Sequence, residues 1–295
     1  MGNNIIKSGS CLDPWVLEDI KEKGEDLWLD YALYEDGTLK ISGNTTLTST
    51  FDHNEYDENG EPVSSIYTSR FKDLDFHTVI IEEGVRVLEK ECFKDCRSFR
   101  RIVLPEKMPE IRKDFADGSP LEYTEKDGLL FLGPSSNPLY FLMGCKENYD
   151  RETLVIPEEV VFIADEAFKG KKCIKEVVFP STLEFAGWYT FDGTSIKDVF
   201  IPEGKMAYDE TLLAFDGQDM HVESISVPYS MYKEYRDGND DGWVGAWNST
   251  AKIIFRNPDN SIAEILESKP LDYNDIYPTE NLETDIDKYS DELPF

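Results

Sequence analysis

The side chains that carry most enzymatic chemistry are few and scattered in this sequence. Its three histidines, His53, His77 and His221, are far apart, and none lies in a nucleophile or metal-binding motif. The sequence also lacks a G-x-S-x-G turn, a glycine-rich phosphate loop and an H-E-x-x-H motif. Its many carboxylates single out no acid–base pair, because such catalysis requires a defined separation between two of them. We therefore predict a protein that is not an enzyme, and we expect no cofactor.

The cysteines form no evident metal site or disulfide framework. They are five in number, and the close pair Cys92 and Cys96 has no second pair of cysteines or histidines near it in the sequence. Free cysteine is among the side chains most often found in protein interiors. The sequence therefore predicts small buried thiols at Cys11, Cys92, Cys96, Cys145 and Cys173.

One loop has the residue pattern that opens a calcium-binding loop. The segment DGNDDG places candidate oxygen ligands at Asp237, Asn239 and Asp241, followed by a glycine that suits a sharp turn. Position 12 of such a loop normally supplies a bidentate glutamate, and here it is Asn248. A turn rich in Asp, Asn and Gly explains the same residues. We expect calcium to leave the melting temperature unchanged.

The overall charge limits the classes of partner. Asp and Glu number 60 against 30 Lys and Arg, which gives a formal net charge of −30. Such a surface repels nucleic-acid backbones and favours association with basic partners. The sequence contains no run of about 18 apolar residues, and residues 1–15 lack the charged start and apolar stretch of a secretory signal. We therefore predict no direct nucleic-acid binding, no membrane insertion, a cytoplasmic location and protein partners with basic surfaces.

A sequence motif of about 23 residues recurs along the chain. It predicts the strands and turns that position the other residues. Each copy has an apolar-x-apolar strand, a proline that ends the strand, and an aromatic residue that fills the space between copies. Neighbouring marker phenylalanines are 22, 23 and 24 residues apart outside one long insertion. The marker prolines are Pro105, Pro157, Pro180, Pro202 and Pro228, with Glu82 in the first copy. The marker phenylalanines are Phe93, Phe115, Phe168, Phe191 and Phe215.

The pattern apolar-x-apolar-Pro, then Ala or Cys followed by Phe-x-Gly or Phe-x-Asp, resembles the BspA-type leucine-rich repeat. The resemblance implies a β-rich α+β fold, a right-handed solenoid of stacked repeats. A strand pair at 34–44 and a closing strand at 252–255 are expected at its two ends. The implied organisation is an N-terminal capping region at 1–76, repeats at 77–237 with a hairpin insertion at about 122–152, a C-terminal cap at 238–257 and a flexible acidic tail at 258–295.

The tail combines an acidic composition with a distinctive tip. Residues 258–295 carry 11 acidic residues against two lysines, and the apolar spacing at 262–266 suits at most one short helix. The tip resembles the C-terminal tip of bacterial single-stranded-DNA-binding proteins, which implies docking onto genome-maintenance proteins, with Phe295 in an apolar pocket and its carboxylate on a basic group. A tail that serves only for solubility is the alternative. The tip residues are Asp291, Glu292, Leu293, Pro294 and Phe295.

These predictions lead to two functional hypotheses. The first is a cytoplasmic protein-interaction scaffold whose tail tip docks onto genome-maintenance proteins. The second is a cell-surface adhesin or binding protein, because proteins of the family that this chain resembles are mostly secreted or surface-anchored and implicated in adhesion. A group of aromatic residues is a further candidate recognition surface, although core and cap packing explains the same residues. These are Trp188, Tyr189, Tyr229, Tyr232 and Tyr235.

Overall fold

The computed structural model describes residues 4–24, 26–56, 59, 61–203, 222–231 and 252–266. These residues form one α-helix and 21 β-strands. In chain order they are β1 (Ile5–Ser10), α1 (Pro14–Lys23), β2 (Leu29–Tyr34), β3 (Thr38–Gly43), β4 (Thr46–Leu47), β5 (Thr50–Tyr56), β6 (Pro62–Thr68), β7 (Thr78–Ile81), β8 (Val87–Leu88), β9 (Arg101–Val103), β10 (Glu110–Ile111), β11 (Thr124–Lys126), β12 (Leu129–Leu132), β13 (Phe141–Cys145), β14 (Thr153–Val155), β15 (Phe162–Ile163), β16 (Glu176–Val178), β17 (Phe185–Ala186), β18 (Asp198–Phe200), β19 (Ser224–Pro228), β20 (Lys252–Arg256) and β21 (Ile262–Leu266).

The N-terminal part of the chain starts the first sheet, whose order is β1-β2-β3-β7-β9. Strands β1, β2 and β3 pair antiparallel, and β7 then joins β3 in the parallel direction that the repeats continue. A strand pair is therefore present as β2 and β3, but it begins at Leu29, and the predicted segment 34–44 contains β3 and only the last residue of β2. The short helix α1 ends at Gly24, whose positive φ of 67° lets its N–H reach the Ile20 and Lys21 carbonyls.

The repeats stack as parallel strands with an alternating burial pattern. Strands β14, β16, β18, β19 and β20 pair in order, and β21 adds the last, antiparallel strand. The central residues Leu154, Val177 and Val199 are buried, while their neighbours on either side face outward. Paired first residues are 23 and 22 positions apart for the first two steps, and 26 and 28 apart for the last two, from Asp198 to Ser224 and then to Lys252. The period of 23 thus lengthens toward the C-terminus.

The marker phenylalanines lie where the repeat pattern places them. Phe93, Phe115, Phe168 and Phe191 are fully buried, and Phe168 stacks on Phe191 with ring centroids 5.7 Å apart and planes 6° from parallel. The fifth, Phe215, lies outside the described residues. Because each ring packs against a ring of the neighbouring repeat, no repeat can bury its apolar face alone.

A backbone ladder joins neighbouring repeats beside these rings. The N–H of Phe93 donates to the Phe115 carbonyl at 2.7 Å, and that of Phe168 donates to the Thr190 carbonyl at 2.9 Å. Two residues after the ring the chain adopts a positive φ, 73° at Gly170 and 55° at Asp95. Asp95 therefore takes the conformation of the glycine that the first repeat lacks, and aspartate is one of the few residues that tolerates it.

The marker prolines follow the sheet strands as predicted. Pro157, Pro180 and Pro202 each come two residues after the end of β14, β16 and β18. The first repeat has Glu82 there instead, and its N–H donates to the Ile41 carbonyl at 2.9 Å. A proline could not make this hydrogen bond, which explains the departure from the pattern.

The insertion divides the stack between the second and third regular repeats. Strands β11, β12 and β13 form an antiparallel meander, and β13 then pairs in parallel with β15 of the next repeat. The second ladder of the stack is therefore split into a β4-β8-β10 sheet and a sheet in which β13, β15 and β17 continue. The hairpin predicted near 122–152 is present, and its last strand becomes part of the stack.

The C-terminal region corrects one expectation from the sequence. Residues 262–266 form the edge strand β21 on β20, so the short helix that their apolar spacing suggested is wrong, and these residues do not belong to a flexible tail. A turn at Asn257–Ser261, closed by the Asn257 N–H to the Ser261 carbonyl at 2.9 Å, directs the chain back along β20. The open edge of β20 offers backbone partners that a helix would leave unused. The predicted closing strand at 252–255 is present as β20.

Candidate functional site

The outward side chains of the six-stranded sheet form two parallel rows. Val155, Val178 and Phe200 are paired in register on adjacent strands and remain between 39% and 60% exposed. We call them the apolar row. Neighbouring strands lie about 4.8 Å apart, so the three side chains form one continuous strip. The strip is a surface that could accept apolar side chains of another molecule.

A polar row runs beside it at the start of the same strands. Thr153, Glu176 and Asp198 are in register, and all three are exposed. The hydroxyl of Thr153 donates to Glu176 at 3.1 Å, and the hydroxyl of Ser224 donates to Asp198 at 2.5 Å. These bonds fix the orientation of two carboxylates at the border of the apolar row. The outer sheet face is therefore apolar in one row and negative in the next.

Cations next to this face are held by other carboxylates. Lys175 pairs with Glu152 at 2.5 Å, and Lys197 pairs with Glu223. Both lysines lie one residue before the first residue of their strands, so their charges are offset where the face begins. The hydrogen bond to Glu223 raises the side-chain pKa of Lys197. The Lys175 ammonium donates a hydrogen bond to Glu152. The charge of Lys197 also acts on Asp198, and Lys252 follows Ser224 in register in the same row, so the negative character of the row comes mainly from Glu176.

A second surface lies where the insertion splits the second ladder of the stack, which consists of short strands. We call this ladder the short-strand ladder. It is a cavity of about 280 Å³, with an apolar floor and a charged rim. The floor includes Phe141, Phe162 and Phe185, which are paired in register with ring centroids 6.0 and 6.4 Å apart. We call this surface the aromatic groove. It can seat a compact apolar side chain.

Ion pairs cross the groove and tie the two halves of the stack together. Arg112 Nη1 lies 2.6 Å from Glu110 Oε1 and 3.7 Å from Asp165 Oδ2. Lys113 Nζ donates to the Glu166 backbone carbonyl at 3.1 Å. The hydrogen bond from Lys169, together with the charge of Lys113, lowers the side-chain pKa of Glu166. Arg112 and Lys113 therefore stabilise the structure where the insertion divides the stack. They also neutralise the rim of the aromatic groove.

The prediction of buried thiols is confirmed for Cys11, Cys92 and Cys96, which are poor nucleophiles, and it is wrong for Cys145 and Cys173, which are half-buried. Burial raises the pKa of Cys11 to about 12 and that of Cys96 to about 11, and it raises the pKa of Cys92 well above the ordinary value. All five cysteines are free, with Cys145 and Cys173 half-buried. A thiol that is not ionised at neutral pH neither attacks substrates nor binds metals well. Among the described residues, no group of three or more His, Cys, Asp and Glu side chains is arranged to hold a metal ion.

The histidines lie in ordinary surroundings. The exposed His53 lies 3.2 Å from Asp52, its neighbour in the sequence, and His77 lies 2.9 Å from Thr78. His221 lies outside the described residues. The described histidines are on different elements, β5 and the turn before β7, so the structure brings them into no common site.

Several residues predicted from the sequence cannot be placed. The tail tip, Asp291–Phe295, and the candidate calcium ligands Asp237, Asn239 and Asp241 lie outside the described residues. Of the five aromatic residues, Tyr232 and Tyr235 also lie outside them.

The three remaining aromatics lie on different elements. Trp188 and Tyr189 are exposed and follow β17, and Lys169 lies 5.7 Å from the centre of the Tyr189 ring. Tyr229 follows β19 in the other ladder and makes an edge contact with Phe255. The five-residue recognition surface therefore stays a prediction, with two of its members adjacent on one turn.

The apolar row was not predicted from the sequence, although the motif contained a signal for it. In the apolar-x-apolar-Pro unit the middle position faces outward, and three repeats have Val155, Val178 and Phe200 there. Val103 occupies the same position in β9 and is also exposed. A solvated strand position normally takes polar residues. The repeated apolar residue at this position could therefore have been recognised from the sequence as an exposed apolar row.

Comparison with known proteins gives one family and a set of distant structures. A family model described as BspA type leucine rich repeat region, in six copies, matches residues 58–126 and 144–233, more than half of the chain. No curated protein matches the chain. Among the described residues, no helix has the length and apolar character needed to cross a membrane.

Three solved structures show the range of similarity. A leucine-rich repeat protein from Eubacterium ventriosum ATCC 27560 is 12% identical, with 68% of this chain and 76% of that chain covered and a TM-score of 0.31. A leucine rich cell surface protein from Faecalibacterium prausnitzii A2-165 is 16% identical, with coverage of 68% and 87% and a TM-score of 0.30. The pneumococcal vaccine antigen PcpA is 9% identical, with coverage of 68% and 80% and a TM-score of 0.28.

Proposed function

Because this chain belongs to the BspA-type leucine-rich repeat family, we propose that it is a non-enzymatic scaffold that binds a protein partner across the outer sheet face. Such repeats typically mediate protein–protein interaction. The observation that carries the proposal is the apolar row, in which Val155, Val178 and Phe200 stay exposed on adjacent strands. Repeat stacking already buries one face of every strand, so apolar residues on the other face add nothing to the core.

The partner in this proposal has a basic surface. Glu176 and Asp198 border the apolar row, and the whole chain has a formal net charge of −30. Complementary charge speeds association and suppresses wrong partners, while the apolar strip supplies contact area. Binding of this kind should weaken as salt concentration rises, because exposed charges are screened.

The test compares two variants matched in chemistry. The double variant V178S/F200S removes two apolar side chains from the outer sheet face, and I5S/I6S removes two exposed apolar side chains from β1. Each protein is immobilised and exposed to a lysate of the source bacterium, and retained proteins are quantified by mass spectrometry. We expect wild type and I5S/I6S to retain a common set of basic proteins that V178S/F200S loses. Identical sets on all three would rule out the outer sheet face as the binding surface.

We further propose that the tail tip docks onto genome-maintenance proteins. The tip residues Asp291 to Phe295 offer an apolar ring, a terminal carboxylate and flanking acids, which together suit an apolar pocket with a basic rim. The probe is a purified repair helicase that binds the tails of single-stranded-DNA-binding proteins. We expect binding at roughly micromolar affinity. The affinity should fall as the salt concentration rises, and binding should be lost when Phe295 is deleted. Equal binding with and without Phe295 would refute the tip, and it would leave the outer sheet face untouched.

The location of the scaffold is the remaining part of the proposal. A cytoplasmic protein has access to genome-maintenance partners, whereas a surface adhesin or binding protein does not. Proteins of this family are mostly secreted or surface-anchored, which supports the surface alternative. Fractionation of the source bacterium, with an antibody against this chain and markers for cytoplasm and cell envelope, separates the two. Recovery in the envelope fraction would favour the adhesin and remove the basis for tip docking.

A further inference from the structure

The hairpin formed by β5 and β6 stands apart from the stacked sheets. Its two strands make a sheet of their own among the described residues, whereas the parallel strands on either side of it in the sequence join the main ladders. We call it the hairpin arm. At its base, Thr50 pairs with Thr68, and the next residue, Ser69, is buried and donates to the Cys92 carbonyl at 2.6 Å. Ser69 thus fastens the base of the arm to the core.

One face of the arm is apolar and exposed. Phe51, Tyr56, Val63 and Tyr67 are 52%, 61%, 62% and 44% exposed. The register pairs Phe51 with Tyr67, and their rings meet edge to face at 6.1 Å. Alternation along the strands, with one extra residue in each, places Tyr56 and Val63 on the same side as that pair. The hydrogen-bonded pair Asn54 and Ser65 lies between them on this face, so the four large apolar side chains form two exposed groups on either side of a polar pair.

The opposite face of the arm carries the polar residues Glu55, Ser64 and His53, together with the half-buried Ile66. The hydroxyl of Ser64 donates to Glu55 at 2.8 Å, and this pair alternates with the apolar positions along the two strands. His53 faces the same way and pairs with Ile66. An isolated two-stranded hairpin normally has little stability in water, and large apolar side chains exposed together on one face often mark an interface. The amphipathic arm has the form of a docking element.

The charge of the arm indicates what kind of partner fits. Residues 50–68 contain five acidic residues and no lysine or arginine. Two copies of the arm meeting face to face would bring ten carboxylates together, and the chain as a whole is strongly negative. Like charges placed opposite each other across strands are destabilising. A second copy of this chain is therefore disfavoured, and a basic segment is favoured.

We propose that the hairpin arm binds a basic, extended segment of a partner protein, one that alternates lysine or arginine with apolar residues. The apolar side chains of that segment cover Phe51, Tyr56, Val63 and Tyr67, and its cations meet acidic residues of the segment 50–68. This surface is separate from the outer sheet face, so the two can bind independently. The arm gives the scaffold a second contact point.

The test uses a fluorescent synthetic peptide that alternates Lys with Val and Tyr. Its binding to the full chain is measured by fluorescence anisotropy for wild type, for F51S/Y67S and for I5S/I6S, whose two exposed side chains lie on β1. Both double variants keep the charge of the protein and remove two apolar side chains, so general attraction of a basic peptide affects all three alike. We expect F51S/Y67S to bind at least about tenfold more weakly, and I5S/I6S to bind as wild type does.

Further controls make each outcome decisive. Far-UV circular dichroism should be unchanged in F51S/Y67S, because both side chains are exposed, and a peptide with Glu in place of Lys should not bind. Equal affinity of wild type and F51S/Y67S would overturn the proposal, since net charge alone would then explain binding. Binding of the Glu peptide would overturn the charge argument. A dimer that sedimentation detects for wild type and not for F51S/Y67S would identify the arm as a self-association surface instead.

Discussion

Truncation of Phe168 tests whether the stacked aromatic rings hold the repeats together. The ring is fully buried and lies face to face with Phe191 of the next repeat. Phe168→Ala leaves a cavity between two repeats that the flanking backbone ladder cannot close, because the Phe168 N–H is fixed on the Thr190 carbonyl at 2.9 Å. The loss should therefore be large, and it should extend across the repeat boundary.

The magnitude follows from the burial of the ring. Replacing a buried phenylalanine by alanine destabilises proteins by about 3–5 kcal/mol. Stacked aromatic pairs contribute about 0.5–1.5 kcal/mol beyond their buried area, so the upper half of that range is expected here. In a stack of repeats, stability is the sum of repeat and interface contributions, so weakening one interface should also broaden the unfolding transition.

Urea unfolding monitored by circular dichroism and by tryptophan fluorescence measures both effects. Phe200→Ala is the matched control, since Phe200 is 39% exposed on the outer sheet face. We expect the control to lose about 1 kcal/mol or less and to keep a sharp transition. A loss under about 1 kcal/mol for Phe168→Ala, or one equal to that of the control, would show that the marker rings do not stabilise the stack.

Three further predictions use other parts of the structure. Gly187→Ala should lose about 3 kcal/mol of unfolding free energy in urea, because its new Cβ would lie 2.4 Å from the Asp165 backbone nitrogen. Gly170→Ala has open space around its Cβ and should lose about 1 kcal/mol through its positive φ alone. The reverse order of the two losses would contradict this account. Ellman's reagent should modify the half-buried thiols in the native protein and the others only after unfolding, as peptide mapping can show; early reaction of any thiol in the second group would refute the burial argument. The half-buried thiols are Cys145 and Cys173, and the others are Cys11, Cys92 and Cys96. The pKa of Glu166 is lowered in the folded protein, so its stabilising contribution is complete above its unfolded pKa of about 4.3 and is lost as the pH falls through its folded pKa. Glu166→Gln should therefore lose less stability than wild type between about pH 5 and pH 3. Parallel losses would show that the hydrogen bond from Lys169 is not stabilising.

The regular part of the fold could be predicted from the sequence because its signals are local and repeated. The marker rings Phe93, Phe115, Phe168 and Phe191 all lie in the core, and the strands end close to the predicted prolines. The candidate site was harder to predict. The outer sheet face was encoded in the middle position of each strand motif, but the tail tip and the calcium-like loop lie outside the described residues and stay predictions.

The short strand β21 shows why a local pattern can mislead. Its apolar residues have a spacing that suits a helix, yet they pair with β20 because that strand has a free edge. The hairpin arm is a similar case. Nothing in residues 50–68 read alone indicates that Phe51 and Tyr67 would share an exposed face, because this depends on the register and on the extra residue in each strand.

The sequence by itself determined the repeat, its period, the residues that fill its core and the negative charge of its surface. These follow from the alternation of side chains in a strand and from the need of each copy to cover its neighbour. The tertiary structure alone decided which apolar residues stay exposed, how the insertion splits the short-strand ladder to form the aromatic groove, and which strands are left at an edge. Each of these depends on pairing between segments distant in the chain, and exposure to solvent is a property of that pairing.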